Sequence, residues 1–273
     1  MEHIQTQSEW EREMSVKIIR FIRSELYLDL RYLDLALSAL IPESDSSLKT
    51  FATDGIYLKY PDAHILRLFK DNPRFLNRAF LHSLLHCIFS HLWLAGSHIP
   101  SVWNISCDIA VEYVIDHMNC PSTSRILTWS RQQIYHSLEK EPYISAAVIY
   151  RAIAEFDETQ LLALQTEFYT DDHCYWPMQN QQSALPQNAK DQWDKIARQT
   201  RMNQELQGRE ATDGEQLLAA QIKAGRSRRS YRDFLKKFSI LREELHLDPD
   251  EFDINFYTYG FRFYKNMPLI EPL

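Results

Sequence analysis

The sequence has few of the residues that mark several common classes of protein. Only 6 of its 273 residues are glycine, and they form neither a phosphate-binding loop nor a Gly-x-Ser-x-Gly nucleophile elbow. The 4 cysteines include no CxxC pair and are too few to crosslink a chain of this length, so we expect reduced thiols. These absences argue against a P-loop nucleotide-binding protein, a serine hydrolase of that type and a disulfide-stabilised protein.

Long apolar runs are also missing. No run approaches the ~18–20 residues that a membrane span requires. The N-terminus, MEHIQTQSEWEREM, is acidic and polar where a signal peptide would be basic and then apolar. The net charge of −7 and the pI near 5.8 argue against a surface built mainly to grip nucleic acid or anionic lipid. We therefore expect a cytoplasmic protein without a membrane or nucleic-acid partner.

The sequence does contain a large apolar fraction, 45% hydrophobic and 12% aromatic, which is enough to bury a core. Apolar residues recur at spacings of three and four over residues 8–41, 73–93, 101–118 and 131–168, which predicts helices. Residues 50–60, TFATDGIYLKY, combine β-branched and aromatic residues with an Asp-Gly turn, which is typical of a short hairpin. We therefore predict a mainly α fold of the α+β class, with a small sheet or hairpin.

The second half of the sequence carries weaker signals. Residues 177–214 are polar and rich in Gln and Asn, which suggests a mobile excursion, although KDQWDKIARQTRMNQEL is also compatible with an exposed helix. A helix is predicted from about 215 to 245 and a strand over 252–264. The chain then divides into a core over 1–176, the polar segment 177–214, and a C-terminal helix and strand over 215–273 that pack on the core.

Two histidines four residues apart, His82 and His86, lie inside the apolar run HSLLHCIFSH. On a helix this spacing places them on one face, where they can hold one metal ion. Hydrolytic zinc sites with this spacing read His-Glu-x-x-His, and Ser83 stands where the Glu would activate the attacking water. We expect His91, five residues beyond His86, to point away from both histidines and to lie at the surface or the helix end.

A third ligand has to come from another element, and Asp108 in the predicted helix WNISCDIAVEYVID is the best placed by residue type. A buried carboxylate is costly unless a positive group compensates it, and a metal ion does so. Without a metal, Asp108 could instead bond the two histidines in a polar core network. Glu112, one turn later on the same face, is the candidate to replace the missing base. Asp171, Asp172 and His173, in YTDDHCYW, either add a ligand or belong, as is more common, to a turn that caps a helix.

Five segments in succession carry a family resemblance: TFATDGIYLKYP, HSLLHCIFSH, WNISCDIAVEYVID, DDHCYW and DFLKKFSILREELHLDPDEFDINFYTYGFRFYKNMPLIEPL. With them, nearly the whole chain resembles the bacterial metallopeptidase-like domain that precedes a VWA-like domain. The resemblance implies a zincin-like helical core with an active-site His-Glu-x-x-His helix and a following Trp-Asn-x-x-x-Asp helix. It also implies association with a MoxR-type AAA+ ATPase, and a VWA-like domain in cis after NMPLIEPL.

Carried over by position, the resemblance assigns the metal histidines to His82 and His86, the downstream acidic ligand to Asp108, and a further motif histidine to His91. Ser83 departs from the family pattern at the catalytic Glu, which affects catalysis more than fold or metal binding. We therefore hypothesise a metallopeptidase-like module that binds zinc, is weak or inactive as an enzyme, and serves as a binding or scaffold module for the ATPase.

Two alternatives stay open at this point. The first is an active metal-dependent hydrolase that uses Glu112 as its base, and the second is a metal-free helical interaction domain.

Overall fold

The structure is a computed structural model, and it describes residues 5–94, 98–139, 141, 144–176, 185–206 and 212–226. Within these ranges eleven α-helices accompany one three-stranded sheet, which confirms the mainly α, α+β fold class. The later part of the predicted helix over 215–245 and the predicted strand over 252–264 lie outside the described residues.

The helices succeed one another along the chain with two 3₁₀ turns between them. The α-helices are α1 (Gln7–Asp29), α2 (Asp34–Ala39), α3 (Asp62–Asp71), α4 (Pro73–Ile88), α5 (His91–Leu94), α6 (Pro100–His117), α7 (Trp129–Leu138), α8 (Ala146–Ile153), α9 (Glu158–Phe168), α10 (Gln187–Leu206) and α11 (Asp213–Arg226). The 3₁₀ turns are Arg31–Leu33 and Pro121–Thr123, and the strands are β1 (Ile41–Ser44), β2 (Ala52–Thr53) and β3 (Tyr57–Tyr60). No helix in these ranges is long and apolar enough to cross a membrane.

The small sheet has the strand order β1-β3-β2. β2 and β3 are antiparallel and form the predicted hairpin. Asp54 closes its turn by accepting the backbone N–H groups of Ile56 and Tyr57, and Gly55 takes the positive φ of 88° that a residue with a side chain rarely adopts. β1 pairs in parallel with β3. The sequence did not predict this strand, which begins at Ile41 where the predicted helix over 8–41 ends. The helix α1 itself ends earlier, with Leu30 as its C-cap residue.

Helices α4 and α6 form the middle of the fold. Every residue of α4 from Leu76 to Ile88 is buried, and α6 packs against α4, α8, α9 and α11. Proline begins both helices, where its missing N–H costs nothing. The prediction of one helix through residue 93 is wrong, because the chain turns at Ser90 with a φ of 61° and a new helix begins at His91.

Within the segment 177–214, residues 187–206 form a helix that packs on the core. Trp193 is 2% exposed, and its indole N–H donates to the carbonyl of Gly55 over 2.6 Å. Ile196, Ala197 and Thr200 continue the same buried face. The buried residues of this helix recur at spacings of three and four and form one core-facing stripe, although the composition of the segment is mostly polar.

Candidate metal centre

The predicted metal residues lie together in the core. His82 and His86 occupy successive turns of α4, both are 0% exposed, and their Nε2 atoms are 2.8 Å apart. Asp108 reaches them from α6, with its Oδ1 3.4 Å from each Nε2. The i, i+4 spacing on one helix and a carboxylate from the next buried helix thus bring all three predicted ligands to one point.

Two further side chains join the cluster from the segment after α9. Asp171 Oδ1 lies 3.5 Å from His82 Nε2 and 3.9 Å from His86 Nε2. His173 Nε2 lies 3.1 Å from both Asp108 Oδ1 and Asp171 Oδ1. The sequence motif DDHCYW therefore contributes a carboxylate and an imidazole to the cluster, which is the less common of its two interpretations.

The sheet positions this segment. The backbone N–H of Asp172 donates to the carbonyl of Phe51 over 2.7 Å, and Asp172 pairs with Ala52 in an isolated parallel bridge. Asp171 and His173, on either side of Asp172, then point to the cluster. The hairpin thus helps to fix the part of the chain that brings the second carboxylate.

The cluster has the spacing of a coordination sphere. One donor atom each from His82, His86, Asp108 and Asp171 lies within 4.8 Å of the other three. A tetrahedral site with metal–ligand distances of ~2.1 Å has donors about 3.4 Å apart. Five of the six distances between the four donors lie between 2.8 and 3.9 Å, around that value.

Three buried atoms of the cluster also lack a hydrogen-bond partner. They are Asp108 Oδ1, Asp171 Oδ1 and His173 Nε2. Although His173 Nε2 is 3.1 Å from both carboxylate oxygens, neither contact has the alignment of a hydrogen bond. Buried polar atoms are nearly always paired, so unpaired oxygens that face one another and two imidazole nitrogens fit a site for a cation.

The other ring nitrogen, Nδ1, of His82 and of His86 also has a polar partner. His82 Nδ1 lies 2.8 Å from Glu112 Oε1, and His86 Nδ1 lies 3.0 Å from His91 Nδ1. Metal-binding histidines characteristically engage their other ring nitrogen in this way, which fixes the tautomer and turns Nε2 toward the ion. The expectations that His91 points away from both histidines and lies at the surface are wrong. His91 contacts His86 and is 2% exposed, because the turn at Ser90 folds it back against His86.

Glu112 lies on the far side of the His82 ring from the cluster. Its Oε2 accepts hydrogen bonds from Arg78 Nε over 2.9 Å and Arg78 Nη2 over 2.7 Å, and from Arg131 Nη1. Glu112 is 0% exposed. Both of its oxygens are therefore engaged, and the carboxylate orients an imidazole in the place where the sequence suggested a substitute base.

Ser83, at the position of the catalytic Glu, contacts the cluster through Asp171. Its hydroxyl donates to Asp171 Oδ2 over 2.6 Å, and Ser83 is 0% exposed. The other oxygen of Asp171 remains directed at the two histidines. Sequence spacing gives no sign of this contact, since the two residues are brought together only by the packing of distant segments.

The pKa values of the histidines follow from two opposing effects. Burial alone would lower the pKa of His82, but Asp171 and the nearby Asp108 carboxylate outweigh it and raise that pKa to about 9. Burial also disfavours the charged form of His173, yet Asp108 and Asp171 raise its pKa to about 10. Burial prevails at His86 and lowers its pKa to about 4. Without a metal, two imidazolium ions thus balance two carboxylates.

Comparison of the chain with family models, curated proteins and solved structures found no match to any of them.

Proposed function

We propose that this chain is a zinc-binding, metallopeptidase-like domain that lacks a general base and acts as a binding or scaffold module. The observation that carries the proposal is the convergence of four buried donors, His82, His86, Asp108 and Asp171, on one point. Two of these donors present oxygens with no hydrogen-bond partner.

The donor chemistry favours zinc. Imidazole nitrogens and carboxylate oxygens are common zinc ligands, and structural sites are almost always four-coordinate. With neutral histidines the two carboxylates carry a charge of −2, which a divalent cation neutralises. That neutralisation supports a metal in a site with no exposed donor, because an unbalanced charge is costly to bury.

The absence of a base supports the non-catalytic part of the proposal. A zinc ion would lower the pKa of a bound water and polarise a carbonyl, but a positioned general base is worth a further ~10²–10⁴-fold. Ser83 cannot take up a proton at neutral pH. Glu112, the base of the active-hydrolase alternative, already bonds His82, Arg78 and Arg131. We therefore expect peptidase activity to be weak or absent.

Metal content tests the site directly. Wild-type protein, purified with zinc and dialysed, should contain about one zinc per chain by elemental analysis. His82→Ala should lose stoichiometric zinc, because one of the buried donors is gone, while circular dichroism shows a folded chain. His136→Ala is the matched control, since His136 is exposed and bonds only Glu139 among the described residues. Equal zinc in all three proteins would contradict the proposal.

A cleavage assay tests the catalytic part. Wild-type protein with zinc should give no measurable cleavage of an unfolded protein substrate, because no free carboxylate stands at the Ser83 position. Robust cleavage that a chelator abolishes and His86→Ala removes would overturn the inactive assignment. It would favour the hydrolase alternative.

We also propose, on the sequence resemblance alone, that a MoxR-type AAA+ ATPase is the partner and that a VWA-like domain follows in cis. The test is co-purification with such an ATPase and the effect of this protein on its ATPase rate. No complex and no change in rate would count against the partner while leaving the metal site untouched.

A second candidate function is a metal-free interaction domain. The observation that favours it is the internal charge balance, in which raised pKa values let His82 and His173 offset Asp108 and Asp171 without an ion. Wild-type protein that stays folded and free of any metal after exposure to zinc would support this candidate.

A further inference from the structure

A catalytic zinc ion characteristically has three protein ligands and keeps a fourth position for water, whereas a structural zinc ion is fully enclosed by protein. In this protein His82, His86 and Asp108 would supply three donors, and Asp171 Oδ1 stands near enough to be the fourth. We infer that Asp171 fills the coordination position that a hydrolase leaves to water. The ion would then be structural and would crosslink the segment 170–176 to the helices α4 and α6; we call this crosslink the staple. This inference rests on the proposed zinc site.

Ser83 prepares Asp171 for this role. Its hydroxyl donates to Oδ2 over 2.6 Å, which leaves Oδ1 directed at the two imidazoles, 3.5 Å from His82 Nε2 and 3.9 Å from His86 Nε2. A hydrogen bond that orients a ligating carboxylate strengthens metal binding. The residue at the catalytic Glu position thus serves as a positioning residue for a fourth ligand.

The segment 170–176 also packs against the cluster through the rings of His173 and Trp176. His173 Nε2 lies 3.1 Å from both carboxylate oxygens, and the His173 ring stacks on Trp176 with centroids 3.8 Å apart. The Trp176 ring also contacts the His86 ring at 4.9 Å. Both rings therefore pack against donors of the cluster.

Hydrogen bonds to residues 45–51 also hold the segment in place. Asp172 donates its backbone N–H to the carbonyl of Phe51, and the carbonyl of Thr170 accepts from the Thr50 hydroxyl over 3.1 Å. A metal bond from Asp171 would add to the Ser83 hydrogen bond and the His173–Asp108 contact that link this segment to the helices α4 and α6. Because the donors come from distant parts of the chain, the binding energy of the ion becomes folding energy.

The first test asks whether a coordination position is open. The probes are Co²⁺ in place of zinc, read by its visible absorption spectrum, and azide as an added ligand. We expect the wild-type spectrum to be unchanged by azide, and that of Asp171→Ala to shift with saturating azide because a position has been freed. Asp172→Ala is the matched control, since the neighbouring Asp172 side chain accepts a hydrogen bond from Tyr169 and is not a cluster donor.

The outcomes separate the staple from the metal site itself. If the wild-type protein takes up Co²⁺ and its spectrum responds to azide as Asp171→Ala does, the staple is overturned while the zinc site stands. If the wild-type protein takes up neither zinc nor Co²⁺, the proposed zinc site fails and the staple fails with it.

The second test follows the segment by hydrogen exchange with mass spectrometry. Removing zinc with a chelator should raise exchange over residues 169–176 and leave the exchange of α1, which is remote in sequence, unchanged. Asp171→Asn should show the raised exchange even with zinc present. Exchange over 169–176 that is the same with and without bound zinc would overturn the staple.

The third test addresses Ser83. Ser83→Ala should weaken zinc binding by about 10–100-fold, as expected when a partner that orients a ligand is removed. Ser106→Ala is the matched control: Ser106 is equally buried, and its hydroxyl donates to the carbonyl of Val102 within α6. Equal zinc affinity in Ser83→Ala, Ser106→Ala and wild type would overturn the positioning role.

Discussion

At the scale of single residues, protons and the proposed zinc ion would compete for the same histidine nitrogens. At pH 7 a metal-free His82, with its pKa raised to about 9, is protonated, while His86, with its pKa lowered to about 4, is neutral. Zinc binds only the unprotonated nitrogen, so the His82 proton has to leave when the ion enters. The first histidine of the motif therefore carries the pH sensitivity of the site.

We predict that zinc binding at pH 7 releases at least about one proton and tightens about tenfold per pH unit up to the pKa of His82. Isothermal titration calorimetry in buffers of different ionisation enthalpy measures the proton count. Binding that neither releases a proton nor changes between pH 6 and 8 would contradict the raised pKa of His82.

The stability of the metal-free protein should fall as the pH rises, whereas zinc binding should tighten. A histidine whose pKa is raised on folding contributes stability that is fully present below its ordinary pKa of 6.5 and is lost as the pH rises through the folded value. For His82 and His173 the loss should run from about pH 6.5 to pH 9–10. Urea unfolding of chelated protein across this range measures it, and metal-loaded protein should not show the same loss.

At the scale of elements, a buried ionic network links the candidate metal centre to the surrounding helices. Glu112 on α6 bonds Arg78 of α4 and Arg131 of α7, and both arginines also pair with Asp116. Arg131 extends the network to Glu167 of α9, with Nε 3.0 Å from Oε1. The carboxylate that orients His82 thus also ties α4, α6 and α7 together.

Glu112→Gln should destabilise the fold by about 3–5 kcal/mol, because it leaves two buried arginines short of a counter-charge. Denaturant unfolding of metal-free protein measures the change without any contribution from zinc. Glu139→Gln is the control, since Glu139 pairs with His136 at the surface and exposed pairs are worth little. A stability equal to wild type would mean that Glu112 is not structural, which would revive its candidacy as a base.

At the scale of the whole molecule, α10 belongs to the core. Trp193 is 2% exposed and reaches the turn of the hairpin, whose position in turn fixes the segment that carries Asp171. The described residues therefore form a connected path from α10 through the sheet to the metal centre.

Trp193→Ala should lower the free energy of unfolding by about 3–5 kcal/mol, as is typical when a buried aromatic side chain is removed. Thermal or urea unfolding measures the loss. Trp129→Ala, at a tryptophan that is 73% exposed, should change stability much less. Equal, small effects in both variants would mean that α10 does not contribute to the core.

The sequence by itself determined the local features of this protein. Apolar periodicity predicted helices α4 and α6, and the Asp54-Gly55 turn predicted the hairpin, because these patterns act over a few residues. The i, i+4 spacing placed His82 and His86 on one face, and the cost of burying a carboxylate pointed to Asp108 as their partner.

Only the tertiary structure decided the rest of the site. Asp171 and Ser83 meet because the segment after α9 pairs with the sheet, and His91 reaches His86 because one residue, Ser90, takes a left-handed conformation. The role of Glu112 was likewise set by two arginines from other helices. A coordination sphere is a meeting of distant segments, and local patterns specify which side chains are available without specifying which of them packing brings together.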